Sequence, residues 1–533
     1  MDTRTTEHVR TSEPRHARTS GRTAAFGAGI AAVLLGIGVG TLTAALLVPA
    51  SSPLPVVGAL LIDAAPTWAK DTMIAVFGTG DKLALIIMIL IVMLGLAALA
   101  GAWEWRRAWS GAAVTLGLGV LVGILAVTRE DADVWAWFPA SLAGAVAAVA
   151  MRMLTRRIPD DATGTAWDEG TVLADGTVTS RRGFLTVVGV TAAVGILTAV
   201  GGSMVRAGSQ AVTTIRTALR LPAPASVTVA IPEGADLAVP GLSPLVTPNS
   251  DFYRIDTALV VPNVSPEEWE LRIHGLVEQE VRLTWDELLA LPLQETPVTL
   301  SCVSNQVGGG LIGNAVWLGY PIRELLARAR PLADADMVLS RSIDGFTAGT
   351  PIGALTDDRD ALLAVGMNGE PLPLDHGFPV RMVVPGLYGY VSATKWVVEL
   401  EVTRFDSARA YWTDRGWSAE GPIKLQSRVD VPAHESTVSA GEVTVAGVAW
   451  MPHTGISRVQ VQIDDEPWQD AELGWDASTD TWVQWRWTWD AAPGSYRVTC
   501  RATDRDGNEQ VFERVPVAPD GATGWHTVLV DVV

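Results

Sequence analysis

Five apolar stretches in the first part of the chain, Ala24–Ala50, Leu83–Trp103, Gly111–Val127, Val134–Met153 and Phe184–Met204, limit what it can fold into. Each is close to the length of about 20 residues that a helix needs to cross a bilayer core. In lipid only a helix or a closed barrel satisfies its own backbone, so residues 1–205 read as a membrane domain of helices in a lipid bilayer. The third stretch is short and glycine-rich. Val56–Ala65 is apolar but shorter still, carries Asp63 and follows Pro53 and Pro55, and reads as an interfacial or re-entrant piece.

Arginine and lysine set the expected orientation. The N-terminal tail holds Arg4, Arg10, Arg15, Arg18 and Arg22, the second connection Arg106 and Arg107, and the fourth Arg152, Arg156, Arg157, Arg181 and Arg182. The alternate connections hold Lys70, Lys82 and Arg129, the last followed by Glu130, Asp131 and Asp133. The N-terminus is therefore expected in the cytoplasm and the region after the fifth span outside it, in a multi-pass protein of the cell membrane. Thr179-Ser180-Arg181-Arg182-Gly183-Phe184-Leu185 resembles a twin-arginine export signal, which carries folded cargo. The plainer alternative is a basic flank of the fifth span. All seven histidines (His8, His16, His274, His376, His434, His453, His526) lie outside the spans, which argues against a membrane haem held by paired histidines.

The remaining chain is an ordinary mix in which acidic residues outnumber basic ones, and the net charge is −19. Phosphate backbones require clustered cations, so nucleic acid is not an expected partner. Cys302 and Cys500 are the only two cysteines, too few for a disulfide framework, a zinc finger or an iron–sulfur cluster.

Residues 206–247 are rich in Pro, Ala and Val and read as a linker or wrapping arm. Residues 248–425 mix β-rich runs (Trp269–Ile273, Val298–Ser301, Val380–Val384, Trp396–Val402) with helical patterns at Thr284–Ala290 and Ile322–Ala329, an α+β domain. Thr284 followed by Glu287 has the form of a capping box. Residues 426–533 alternate apolar and polar positions in Val443–Ala449, Arg458–Ile463, Trp482–Trp489 and Tyr496–Thr503, as in an immunoglobulin-like β-sandwich. Trp450, Trp468, Trp482, Trp485, Trp487 and Trp489 are expected to pack that sandwich.

Cys302 ends a β-like run and precedes Gly308-Gly309-Gly310, where strand gives way to loop. Such a cysteine is a nucleophile, a ligand for a soft metal, or simply a small buried apolar residue. Downstream stand Asn368-Gly369-Glu370-Pro371-Leu372-Pro373, Asp375-His376-Gly377-Phe378-Pro379-Val380-Arg381, Val383-Val384-Pro385-Gly386 and Lys395-Trp396. In this order and spacing, and with Gly447-Val448-Ala449-Trp450 and Trp468 beyond, the chain from Asn249 onward resembles the sulfite oxidase family of molybdopterin enzymes.

The resemblance implies a Mo-molybdopterin cofactor with Cys302 as the metal ligand. It implies that Phe252, Tyr253, Arg254, Asp344, His376, Arg381, Ala393, Thr394 and Lys395 bind the cofactor, with Arg254 also reaching the metal pocket as a catalytic residue. Arginine suits an anion because its planar fork donates paired hydrogen bonds and stays charged. The resemblance further implies a C-terminal domain of dimerising type, and hence a homodimer. It breaks down after the cysteine: the family's Ala-Gly-Asn-Arg-Arg is Val303-Ser304-Asn305-Gln306-Val307 here, and Asp256 stands where the family has histidine. The active-site tyrosine of the animal and plant enzymes falls near Trp417, with Tyr411 and Trp412 close by.

The reading is a two-electron oxidoreductase acting on a small molecule (sulfite-like, a sulfoxide or another S- or N-oxide) outside the membrane, with a separate electron-transfer partner. The alternative is a membrane-tethered, non-catalytic binding or scaffold protein that keeps the fold.

Overall fold

The computed structural model describes residues 15–48, 51–66, 81–128, 134–159, 171–172, 178–206, 209–258 and 261–533, with isolated positions between 69 and 76. Arg4, Arg10, Lys70, Arg129, Glu130, Asp131 and Asp133, used above to orient the spans, lie outside the described residues. The chain divides into two compact units, Met1–Ser209 and Gln210–Val533.

The first unit is built from α1 (Arg15–Leu47), α2 (Pro53–Ala64), α3 (Asp81–Arg106), α4 (Ser110–Val127), α5 (Phe138–Thr155) and α6 (Arg181–Arg206). All but α2 are long and apolar enough to cross a membrane. Small residues let these helices approach closely. A methyl group on Gly38 would come within 2.1 Å of the Gly195 carbonyl, where α1 crosses α6, and one on Gly119 within 2.6 Å of Gly144, where α4 crosses α5. Elsewhere α3 and α6 turn large apolar side chains outward, among them Ile91, Leu99 and Leu197. Glu104, near the end of α3, is fully covered. Its carboxylate accepts from the backbone of Trp109 (2.9 Å) and Ala112 (3.1 Å), capping α4, and pairs with Arg152 of α5 at 3.3 Å. The segment expected to be interfacial or re-entrant is the 12-residue helix α2. Two short strands, β1 (Thr171–Val172) and β2 (Val178–Thr179), form a hairpin before α6.

In the second unit, α7 (Ser209–Ala218) leads into an arm that wraps the α+β core. Arg216 donates to the Leu372 carbonyl at 2.8 Å, and β3 (Ser226–Val227) adds to a sheet edge parallel to β6. The Leu245 carbonyl accepts from Asn314 (2.8 Å) and from the indole of Trp482 (2.9 Å). One sheet has the order β11 (Glu370–Pro371), β10 (Leu362–Met367), β7 (Ile312–Pro321), β6 (Gln294–Ser301), β3, with β12 (Arg381–Val383) also on β10. The other runs β5 (Val281–Thr284), β4 (Glu270–Gly275), β13 (Val397–Thr403), β8 (Met337–Ser342), β9 (Thr347–Pro351). Nearly every residue of β6, β7 and β10 is buried, as befits strands covered on both faces.

Helix α8 (Trp285–Leu289) starts with the expected capping box: the Glu287 backbone donates to the Thr284 hydroxyl, and the Thr284 backbone donates to the Glu287 carboxylate at 2.9 Å. Helix α9 (Ile322–Ala329) buries Ile322, Leu325, Leu326 and Ala329, one stripe at helical spacing.

The sandwich pairs β14 (Gln426–Val431), β16 (Gly441–Trp450), β20 (Val483–Ala491) and β19 (Glu472–Leu473) in one sheet. The other holds β15 (Ser436–Val438), β22 (His526–Val532), β21 (Gly494–Asp504), β17 (Ile456–Ile463) and β18 (Gln469–Asp470). Val445, Val459, Val461, Trp485, Val498 and Cys500 lie in its core. The tryptophans expected there divide between surfaces. Trp485 fills the sandwich, whereas Trp450 and Trp482 pack into the α+β core, because their sheet edge is where the two domains meet. Trp468 stands edge-on to Trp525 (4.9 Å) with Arg501 over its ring. Both cysteines are free thiols.

Candidate active site

Cys302 stands one residue beyond β6, at the point where the β6–β7 pair opens into a loop. Its N–H still donates to the Leu311 carbonyl at 2.9 Å, and its carbonyl accepts from Asn305 at 3.0 Å. The Asn305 side chain holds the loop closed by accepting from Leu311 at 2.9 Å. The half-buried thiol accepts from the Ser304 N–H at 3.4 Å. Burial raises its pKa, while the Ser304 hydrogen bond and the Lys395 ammonium work the other way.

A tightly threaded segment brings in the other groups. His376 lies on a single turn before β12, Arg381 begins β12, and Lys395 pairs with Arg381 as an isolated bridge. Thr394 accepts from Met382 through its carbonyl at 2.9 Å, and its hydroxyl bonds Ser340 at 2.7 Å. Gly377, with φ 109°, makes this possible. A Cβ there would stand 3.0 Å from the Arg381 Cβ and 3.1 Å from that of Lys395.

The Arg381 guanidinium is buried, donates to the His376 carbonyl at 3.2 Å and lies 5.0 Å over the Trp317 ring. Burial brings its pKa down to about 10. Lys395 is buried too and donates to the Asp256 carboxylate and to the Asp375 carbonyl, both at 2.9 Å. Burial lowers its pKa to about 8 against the pull of Asp256. His376 is held down to about 3, first by burial and then by Lys395 and Arg381, so the imidazole is neutral. Its Nδ1 is buried and has no hydrogen-bond partner in the chain.

Phe252 and Tyr253 stack at 5.3 Å, and Phe252 stands edge-on to both Trp317 (5.8 Å) and His376 (5.5 Å). Burial and the neighbouring Cys302 raise the Tyr253 phenol well above its ordinary pKa. Arg254 reaches the same cluster, with Nε 3.0 Å from Asp256 and Nη1 3.3 Å from Asp375.

The structure thus gathers Phe252, Tyr253, Arg254, Cys302, His376, Arg381 and Lys395, with Thr394 directly beneath. Ala393 is adjacent, closing the short helix α10 (Gly389–Ser392) through a 3.0 Å bond to Gly389. Asp344 lies farther out, in the β8–β9 turn. Its carboxylate accepts from Phe346 within that turn, and the turn meets the site only where Ile343 donates to the Trp396 carbonyl at 3.0 Å. Trp417 joins Tyr390, Trp412 and Tyr411 in an aromatic group beside α10.

Three contributors were missed from sequence. Tyr388, buried and pushed up to about 12 chiefly by burial and in part by Cys302, lies between the cysteine and Lys424. Arg428 donates to the Gly309 carbonyl at 2.7 Å, and His526 packs against Gly308, so the sandwich braces the cysteine loop. Tyr388 stands two residues past the Val383-Val384-Pro385-Gly386 run already quoted. No local pattern marks Arg428 or His526, which act across a domain boundary.

Among the described residues no group of three or more His, Cys, Asp or Glu side chains is placed to hold a metal ion. One soft thiolate beside buried cations and an orphaned imidazole nitrogen instead suits a metal whose other ligands arrive with an anionic, hydrogen-bonding cofactor.

Residues 258–412 match the family described as oxidoreductase molybdopterin binding domain, and residues 427–500 match the bacterial Ig domain. The α+β region is thereby a molybdopterin-binding oxidoreductase domain. The chain is 30% identical over 341 residues to mitochondrial sulfite oxidase of Mus musculus, covering 54% of this chain and 62% of that one. It is 32% identical over 178 residues to NADH nitrate reductase of Spinacia oleracea, covering 28% of this chain and 19% of that one. The sulfane dehydrogenase SoxCD of Paracoccus pantotrophus is similar at 21% identity over 57% of this chain and 88% of that chain, with a TM-score of 0.47. The chain spans less than two thirds of the length of either of these curated relatives. The chain thus carries a molybdopterin-binding oxidoreductase domain and is similar to the sulfite oxidases.

Proposed function

We propose that the chain catalyses a two-electron oxygen-atom transfer on a small molecule, with the catalytic unit on the outer face of a membrane and the first unit as its anchor. The observation that carries this is the convergence of Cys302 with buried Arg381, Lys395 and His376 on one face of the α+β core. The net conversion is X + H2O to XO with release of two protons and two electrons, or its reverse. A separate electron carrier takes up or supplies the electrons.

The cofactor, when bound, supplies the oxygen-atom transfer and the electron storage. The chain supplies binding and orientation. Cys302 contributes a thiolate ligand. Arg381 and Lys395 would hold the anionic end of the cofactor. Neutral His376 would offer Nδ1 as a hydrogen-bonding atom to the pterin, while Phe252, itself against Trp317, holds its ring in place. Tyr253 stays protonated and lines the approach to the cysteine. Thr394 and Ala393 would support the pocket from beneath, while Asp344 stays in the β8–β9 turn.

The membrane assignment rests on five apolar helices with outward-facing Leu, Ile and Val, and on arginines in alternate connections. An odd number of spans places the two ends of the unit on opposite sides, with the N-terminus in the cytoplasm. Arg181 and Arg182 are exposed at the start of α6, where an export receptor would read them. The sandwich suits a homodimer contact.

The test is metal analysis of the full-length protein. Near-stoichiometric molybdenum, lost in Cys302→Ser while the melting temperature is kept, supports the reading. Metal-free wild type with the same fold would make the chain a tethered binding protein instead. A substrate screen with artificial electron donors and acceptors then gives the direction of the reaction.

A further inference from the structure

We infer that Asp256 sets the substrate class by cancelling the charge of Arg254, so that the pocket takes an uncharged oxo compound, such as a sulfoxide or N-oxide, in preference to a dianion. This rests on the molybdenum reading above and deepens it.

The charges gathered at the site nearly balance. Arg254, Arg381 and Lys395 are the cations gathered beside Cys302, and Asp256 and Asp375 are the carboxylates set among them. His376 is neutral. A single net positive charge remains. The phosphate of a bound pterin carries close to two negative charges near neutral pH, so the cofactor alone uses this excess.

The geometry places the cancellation on Arg254 in particular. Its guanidinium meets Asp256 at 3.0 Å on one edge and Asp375 at 3.3 Å on another. Asp256 is itself locked, because the same Oδ2 accepts from Lys395 at 2.9 Å and its side chain is only 7% exposed. The Asp256–Lys395 pair is screened little by water and does not swing free to greet a ligand, whereas Asp375, 52% exposed, closes the outer edge of Arg254 from the solvent side. The loop after Cys302 offers no replacement: Val303 is buried and Asn305 is committed to Leu311. A dianion entering this pocket would give up its hydration to meet Arg254 and Lys395 already paired with carboxylates, and Arg381, which the cofactor's own anion would claim. A neutral S- or N-oxide has far less hydration to lose and needs only a donor.

The test uses full-length, detergent-solubilised protein and inorganic sulfate as a non-reacting probe, with affinity measured by calorimetry. Asp256→Asn is expected to bind sulfate at least about tenfold more tightly than wild type, and the charge-keeping Asp256→Glu to match wild type. Equal sulfate affinity in wild type and Asp256→Asn would overturn the assignment. Should Asp256→Asn not fold, wild type decides alone: its Mo(V) paramagnetic resonance spectrum should respond to dimethyl sulfoxide and not to sulfate, and a sulfate response refutes the idea. Molybdenum content of the same samples reports separately on the reading beneath. Metal-free protein that still shows the charge-dependent difference in sulfate binding would sink the enzymatic reading and leave the role of Asp256 standing.

Discussion

Arg428 of the sandwich donates a 2.7 Å hydrogen bond to the carbonyl of Gly309, in the loop that follows Cys302. The same guanidinium pairs with Asp430 at 2.6 Å and reaches Ser243 at 2.8 Å. One side chain thus ties together the cysteine loop, the wrapping arm and β14. Arg428→Met should cost about 3 kcal/mol, since it strands the covered Asp430 carboxylate, and should loosen the loop. Thermal unfolding and molybdenum content would both fall. Unchanged metal content would mean that the loop holds its shape without the sandwich.

Gly377→Ala tests the threading of the site. The position is left-handed, and a Cβ would press on Arg381 and Lys395. A loss of about 1–3 kcal/mol is expected, with cofactor release out of proportion to it, because the displaced groups are the cationic ones. Molybdenum content plotted against melting temperature for this variant and for a control core variant would show the excess.

His526 gives a pH dependence with a defined sign. Burial, then Arg428, lowers its pKa to about 4, and its Nδ1 accepts from the Val429 backbone at 3.0 Å, so the folded form is neutral. Between about pH 6.5 and 4 the unfolded chain binds a proton that the folded chain refuses, so stability falls as pH falls through that window. His376, lowered to about 3, adds to the same slope. Denaturant unfolding at pH 7 and pH 5 should show the loss, and His526→Asn should shrink it. An equal loss in the variant would assign the slope elsewhere.

In the first unit, Glu104→Ala removes both the cap on α4 and the partner of Arg152. A destabilisation of about 3–5 kcal/mol is expected for a buried pair broken on one side. Glu104→Gln keeps an acceptor for the Trp109 backbone and should lose less. Unfolding in detergent, followed by tryptophan fluorescence, checks the order of the two variants.

The elements that could be read from sequence are those whose signal is local. Thr284 and Glu287 announced the start of α8, apolar length announced the spans, and two-residue alternation announced β16, β17, β20 and β21. The grouping of Cys302, His376, Arg381 and Lys395 was legible only through family resemblance, because nothing in the spacing says that β12 returns beside β6 by way of β10 and β7. The second edge of Arg254, held by Asp375, and the pairing of Asp256 with Lys395 were not legible at all. Such contacts depend on rotamers and depth, which a one-dimensional pattern does not encode. The tryptophans misled for a related reason: alternation says which residues face inward, not which of two neighbouring cores they enter.

The contact of His526 with Gly308 also sets a timetable for assembly. A ribosome releases Cys302 and its loop long before β22, so the contact of that loop with His526 forms only after β22 has been made and paired. Secure loading of a metal at Cys302 is then an event for the finished second unit, after synthesis through His526. On the proposed placement of the second unit outside the membrane, crossing would then have to follow folding and loading.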